Sequence, residues 1–239
     1  MSDTLVLLPG LLCDDAVWKH QMRAFAAKAT CLVPDYGLRD SLSAMADHVL
    51  ASLPQRTFSL VGHSMGGRVA LEVFRKAPER VERIALLDTG YQAIADAEAG
   101  QREREGRERL LRIAQEKGMR EMGESWARGM VHADVLHTSI FTEVLEMIER
   151  SSPEKFAAQI NALLNRPDAT ALLSQIDVPA LILCGRDDQW SPLSRHEAMR
   201  DEIAGAQLRV IEDSGHMTTM EQPEAVTAAL EEWLAWKKA

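Results

Sequence analysis

The sequence predicts an α/β protein: a doubly wound, mostly parallel sheet of about six strands, with a helical segment inserted between the fourth and fifth. Three observations predict it. Short apolar runs recur along the 239 residues without polar/apolar alternation, as strands buried on both faces require. Amphipathic helical patterns separate most of them, which favours right-handed crossovers and parallel pairing. One long interval, 91–176, carries helical patterns and no good strand.

In chain order, the runs at 4–8, 30–34, 58–61, 83–87, 180–184 and 207–211 are the expected strands. In the interval 91–176, Leu110, Leu111, Ile113 and Ala114 recur at helical spacing, as do Val144, Leu145, Met147 and Ile148. About four helices are expected there. The charge run 102–109 reads as a solvated helix face. The organisation is therefore a core of 1–90 and 177–239, with a helical insertion at 91–176.

Composition narrows the function. Apolar residues make up 46% of the chain, enough for a sizeable core, and the formal net charge is -9. That balance opposes nucleic-acid backbones and anionic membranes as partners and leaves a small-molecule substrate. No stretch approaches the ~18 apolar residues of a membrane span, and the opening "MSDTLVLLPG" lacks the pattern of a signal peptide. The three cysteines, Cys13, Cys31 and Cys184, are odd in number and far apart, as reduced thiols of a cytoplasmic protein would be. Cys13 reads as a small filler.

The stretch "SLVGHSMGGRVAL" carries the chemistry. Gly62-His63-Ser64-Met65-Gly66 fits G-x-S-x-G, with a strand before it and a helix expected from about residue 67. A serine on so tight a strand-to-helix turn projects its hydroxyl clear of the backbone, and the turn needs small residues two positions to either side. Such a nucleophile requires an acid and then a histidine, each just beyond a later strand. "CGRDDQWSP" offers Asp187 and Asp188 for the acid, and "EDSGHMTTMEQPEAV" offers His216. His63 reads as packing or bonding beneath the turn. Two backbone N–H groups are expected to face the developing oxyanion. One belongs to Met65; the other lies in "LLPGLLCDDAVW", with Leu11 the first candidate and Leu12 the second.

Four pieces, "LVLLPGLLCDDAVW", "LVGHSMGGRVALEV", "PALILCGRDDQWSP" and "DSGHMTTMEQPEAVTAALEEWL", together resemble the α/β-hydrolase superfamily over essentially the whole chain. The resemblance implies a serine hydrolase of the carboxylesterase or lactonase type, with the insertion as a cap over the site. It selects Asp188, because the family's acid lies three residues after the glycine and four before the proline, here Gly185 and Pro192. Two departures stand out. Pro9-Gly10 replaces the common His-Gly, and the chain starts almost directly on the oxyanion strand, so the sheet is expected to be shortened.

The expected reaction is acyl transfer through an acyl-serine, with Ser64, His216 and Asp188 as the triad and no metal or organic cofactor. Leu12, Met122, Trp126, Met130 and Trp190, with Leu11, are expected to line an apolar pocket for an uncharged ester, lactone or thioester of small to medium acyl size. A cap arginine such as Arg128 holding a carboxylate ranks second. The alternatives are a carbon–carbon hydrolase or lyase using the same triad, and a non-catalytic ligand-binding protein on this scaffold.

Overall fold

The computed structural model describes residues 3–236. Six strands form one sheet: β1 (Asp3–Leu8), β2 (Ala29–Leu32), β3 (Phe58–His63), β4 (Val81–Leu87), β5 (Ala180–Gly185) and β6 (Gln207–Ile211). Their order is β2-β1-β3-β4-β5-β6, and every neighbouring pair is parallel. All residues of β3 and β5 are buried, which is why those runs are continuously apolar rather than alternating. The edge strands β2 and β6 are only partly buried and carry Thr30 and Arg209, polar residues that suit a sheet edge.

Helices cover both faces: α1 (Lys19–Phe25), α2 (Leu42–Ser52), α3 (Met65–Lys76), α9 (Leu193–Glu202), α10 (Thr218–Glu221) and α11 (Pro223–Leu234). Between β4 and β5 come α4 (Ala97–Lys117), α5 (Met119–Ala127), α6 (Ser139–Glu149), α7 (Pro153–Leu164) and the short α8 (Thr170–Leu173). The four longer ones match the helical periods read in the sequence. Local signals start several helices. The side chains of Ser41, Thr138 and Ser152 accept from the N–H groups of Ala44, Ile140 and Lys155, and Pro153 occupies the first turn of α7. No helix among the described residues is long and apolar enough to cross a membrane.

Several boundaries differ from expectation, and three of them bear on the site. β2 stops at Leu32, where its register with β1 ends, two residues before Pro34, which has no N–H to give a ladder. β3 continues to His63, which pairs with Leu87. α3 begins at Met65 rather than at residue 67, because the turn is completed by one residue, Ser64.

The topology decides where a ligand binds. From β1 the chain moves outward to β2, then returns to the other side of β1 as β3. The crevice beyond the carboxyl ends of β1 and β3 is thus the switch point of the sheet, the place where open α/β sheets bind ligands. The loop after β1 and the turn after β3 both end there.

That arrangement requires α3 to lie hard against β1. A Cβ at Gly66 would overlap the Leu8 carbonyl, and one at Gly62 would overlap the Gly66 carbonyl. Gly66→Ala is therefore expected to cost about 3 kcal/mol or more, since the atoms it meets are backbone and cannot rotate away. Urea unfolding of the variant beside wild type measures the loss; an unchanged midpoint would contradict this packing.

Candidate active site

Ser64 is the single residue between β3 and α3. Its backbone lies at φ 55°, ψ -117°, a left-handed conformation that costs a side-chain-bearing residue of order 1–3 kcal/mol. The surroundings hold it there. Its N–H donates to the Leu87 carbonyl at 2.9 Å, and its own carbonyl accepts from Gly67 N–H at 3.0 Å and Thr89 Oγ1 at 2.6 Å. The hydroxyl then stands at the N-terminus of α3, where unpaired N–H groups and the helix dipole favour negative charge.

The structure brings Ser64, His216 and Asp188 together from three loops. Ser64 Oγ lies 2.8 Å from His216 Nε2, and His216 Nδ1 lies 2.7 Å from Asp188 Oδ2. The other carboxylate oxygen of Asp188 accepts from the N–H groups of Trp190 and Ser191 at 2.8 and 2.9 Å. Burial works to raise the Asp188 pKa, but the charge and hydrogen bond of His216 and these two N–H groups outweigh it and hold the carboxyl below its usual range. Asp187 points elsewhere: it is exposed and lies 3.7 Å from His132 Nε2.

The loop after β1 runs beside the serine. A Cβ at Gly10 would stand 3.2 Å from Ser64 Cβ and 3.0 Å from His63 Nδ1. Cys13 N–H closes a turn on the Gly10 carbonyl at 3.1 Å, and Leu12 N–H donates to Gln159 Oε1 of α7 at 2.8 Å. The N–H of Leu12, the second candidate for the oxyanion, is thus engaged by Gln159. The Cys13 thiol is buried and pushed up to about 12, by burial and then by Asp14, as suits a filler and not a nucleophile.

A cavity of about 750 Å³ opens over Ser64. Leu11, Trp126, Met130 and Trp190 line it as expected, with Phe156 and Met217. Trp126 and Trp190 stack with centroids 5.2 Å apart, and Trp190 also lies 5.2 Å from the His216 ring. Two expected pocket residues are corrected. Met122 is fully buried and takes no part in the lining. Leu12 is also buried in the core; its left-handed backbone, φ 60°, turns its N–H toward α7. Arg128 is exposed and lies over the Phe141 ring at 5.6 Å, so it is not the clamp considered for a carboxylate.

The expected solvated face at 102–109 is corrected as well. Glu103 and Arg107 turn inward and line the cavity, while Arg102 and Arg109 stay exposed. An i, i+4 pair on one helix face can meet an inward partner that a charge run does not reveal. That partner is Arg166, which donates to both Glu103 oxygens at 2.7 and 2.8 Å.

Other site residues left no motif. The buried Glu221 accepts from the N–H groups of His132, Gly215 and Met217 at 2.6, 3.1 and 2.9 Å, tying down the loop that carries His216. Asp88 accepts from Gly185 N–H at 3.0 Å and from the Thr218 hydroxyl. Burial, then the Asp188 charge, pushes its carboxyl well above the usual range. Asp88 has the one readable signal, since it directly follows strand β4.

Two buried histidines stay neutral beside the site. His63 Nε2 donates to the His216 carbonyl at 2.7 Å, and its Nδ1 has no partner among the described residues. Burial, then the nearby His216, brings its pKa down to about 3. His196 Nε2 accepts from Thr89 N–H at 3.0 Å and Nδ1 donates to the Pro192 carbonyl at 3.2 Å; burial brings its pKa to about 4. Below pH 6.5 the unfolded chain gains a proton at each histidine that the native protein refuses. The stability they contribute is complete above pH 6.5 and is lost as pH falls toward 3–4. The expected loss between pH 7 and 5 is about 2 kcal/mol for each. His196→Gln should therefore show a shallower fall in unfolding free energy than wild type over that range; parallel curves would contradict the assignment.

Comparison with known proteins places this geometry in a family. The model of the "Alpha/beta hydrolase family" matches residues 5–229. The chain is similar to a 2-succinyl-6-hydroxy-2,4-cyclohexadiene-1-carboxylate synthase of Klebsiella pneumoniae, at 26% identity covering 97% of this chain and 93% of that protein. It is also similar to a pimeloyl-(acyl-carrier protein) methyl ester esterase of Nitrosomonas europaea, at 25% identity covering 92% and 91%. Among solved structures, a thermophilic esterase from Thermogutta terrifontis superposes with a TM-score of 0.86 at 30% identity, covering 98% of this chain and 90% of that one. With the family model spanning most of its length, the chain belongs to the alpha/beta hydrolase family and is a hydrolase.

Proposed function

We propose that the protein is a serine ester hydrolase working through an acyl-serine, with Ser64 as nucleophile, His216 as general base and acid, and Asp188 as the residue that orients His216. One observation carries the reading: the unbroken hydrogen-bond chain from Ser64 Oγ through His216 to Asp188, at 2.8 and 2.7 Å. The similarity to an esterase and to a methyl ester esterase supports an ester as the scissile group.

The steps follow from the proton positions. Asp188 accepts from Nδ1–H, which leaves Nε2 free to accept the Ser64 hydroxyl proton as Oγ attacks the ester carbonyl carbon. The tetrahedral oxyanion is held by the N–H groups of Met65 and Leu11 and by the N-terminus of α3. Collapse breaks the C–O bond, and His216 returns its proton to the leaving alcohol. Water then enters and gives a proton to His216 while its oxygen attacks the acyl carbon. The acid leaves and Ser64 is restored. The helices between β4 and β5 act as a cap: Trp126 roofs the site by its stack on Trp190, and the Met130 carbonyl accepts from His216 N–H at 2.7 Å.

Ser64→Ala is expected to abolish turnover of p-nitrophenyl butyrate, leaving only the weak rate, about 10³–10⁴ over water, that binding and oxyanion contacts supply. Near-wild-type kcat in a folded variant would sink the mechanism.

The two neighbouring aspartates give a sharper comparison. Asp188→Asn should lower kcat by about 10⁴, since the amide favours the wrong imidazole tautomer, whereas Asp187→Asn should stay within a few-fold of wild type. Both are read on the same ester under the same conditions. A dead Asp187→Asn beside an active Asp188→Asn would reverse the assignment.

A further inference from the structure

The hydrogen-bond chain of the proposed triad occupies one end of the cavity. Another part of its lining is cationic, in a chain whose net charge is -9. Arg68, Arg107, Arg166 and Arg195 line it, with Arg102 and Arg109 also on the lining, against one carboxylate, Glu103. They come from four separate places: α3, α4, the end of α7 and α9.

Glu103 is already taken. Arg166 donates to it at 2.7 and 2.8 Å, and Arg107 donates to it at 3.0 and 2.9 Å. Burial works to raise the Glu103 pKa, but these two guanidiniums overcome it and bring the carboxyl down to about 2. No carboxylate bonds Arg68 or Arg195 directly among the described residues; Glu103 and Asp168 act on Arg68 only through space. Among the described residues, Arg68 hydrogen-bonds only the Gln92 carbonyl, at 2.8 Å. Arg195 donates to the Trp190 carbonyl at 3.1 Å and contacts Ser191 Oγ at 3.5 Å. A Cβ at Gly90 would stand 2.7 Å from Arg68 Nη2 and 3.4 Å from Arg195 Nη1. Both guanidiniums therefore converge beside one glycine that leaves them room. Arg68 is four residues beyond Ser64, one helical turn along α3, so this point lies close to the proposed nucleophile.

Convergent like charges cost free energy unless an anion joins them. Burial, then Arg166 and Arg195, depresses the Arg68 pKa to about 9, with Glu103 opposing. A planar carboxylate matches the guanidinium fork, as Glu103 on Arg166 already demonstrates. A phosphate dianion would suffer more repulsion from Glu103 beside it.

We propose that the substrate carries a free carboxylate a few bonds from its scissile carbonyl, seated on Arg68 and Arg195 beside Gly90, with the Arg166–Glu103–Arg107 group bracing the cationic wall. The substrate class is thus an acidic ester, such as a monoester of a short dicarboxylic acid. This deepens the ester-hydrolase reading and rests on it for the scissile bond, but the anion seat can be tested without turnover.

Two anionic esters are each compared with a neutral counterpart: mono-p-nitrophenyl glutarate, anionic on the acyl side, with p-nitrophenyl butyrate, and 4-butyryloxybenzoate, anionic on the alcohol side, with phenyl butyrate. At least one anionic ester is expected to exceed its neutral counterpart in kcat/KM by about 10-fold or more. Arg68→Gln and, as a second variant on a different helix, Arg195→Gln should each lower that value by about 100-fold while moving the neutral ester less than about 3-fold. Binding is read separately by calorimetry on Ser64→Ala, with glutarate, inorganic phosphate and pentane-1,5-diol as probes. Glutarate should bind more tightly than the other two, and Arg68→Gln should weaken it by at least about 10-fold. Preference for neutral esters on both sides, equal losses on charged and neutral esters, or phosphate binding more tightly than glutarate would each overturn the proposal. Retained esterase activity in Ser64→Ala would sink the catalytic reading alone, since glutarate binding and its dependence on Arg68 would still stand.

Discussion

The close contact between α3 and β1 is the constraint on which the rest of this molecule depends. Gly66 and Gly62 have no Cβ, so the helix can lie against the Leu8 carbonyl and the turn can close on itself. That closure leaves Ser64 at φ 55°, with its hydroxyl over the switch point of the sheet and an uncapped helix N-terminus behind it. The strain is local, and it is held by bonds reaching across the sheet. The Leu87 carbonyl takes the Ser64 N–H, and Thr89 donates to the Ser64 carbonyl. Strand β4 thus supports a turn that belongs to β3.

Around that turn the polar groups are arranged in a second layer that fixes the loops rather than touching the reacting atoms. Glu221 gathers three N–H groups from the loops around residues 132 and 215–217. Asp88 joins the end of β5 to Thr218. His63 bonds the carbonyl of His216 itself. A buried polar group left unmatched costs more than a matched one contributes, so each of these contacts strongly disfavours displacement of the His216 loop. The inserted helices take part through Met130 and Gln159, which bond His216 and Leu12 directly. The roof and floor of the cavity are therefore mechanically joined.

The cavity combines two unlike walls. Trp126, Trp190, Met130 and Phe156 supply apolar area near the histidine, and the arginines supply charge on the side of α4 and α9. Apolar surface rewards a good fit in proportion to the area buried, whereas a guanidinium seat selects by charge and planarity. A site with both favours a ligand that is apolar at one end and anionic at the other, which neither the overall acidity of the chain nor its list of apolar residues conveys.

The sequence by itself determined the order and type of the elements and the local turn at Ser64. Continuous apolar runs, glycines at 62 and 66 and capping residues at 41, 138 and 152 act over a few neighbours, so their physics is visible in the letters. It also placed His216 and the Asp187–Asp188 pair at strand ends, because a parallel sheet delivers all strand ends to one edge. What only the tertiary structure decided depends on distant partners. The spacing from Gly185 and Pro192 already favours Asp188 over Asp187 through the family resemblance; the structure adds the reason, since Trp190 and Ser191 turn their N–H groups onto Asp188. Met122 and Leu12 look no different in sequence from Met130 and Leu11, yet helix packing and one hydrogen bond to Gln159 turn them away from the cavity. The same holds for the charge run 102–109. Its helix was legible, but the face that turns inward was set by Arg166, some sixty residues later, and charge on a helix is solvated or buried according to what packs against it.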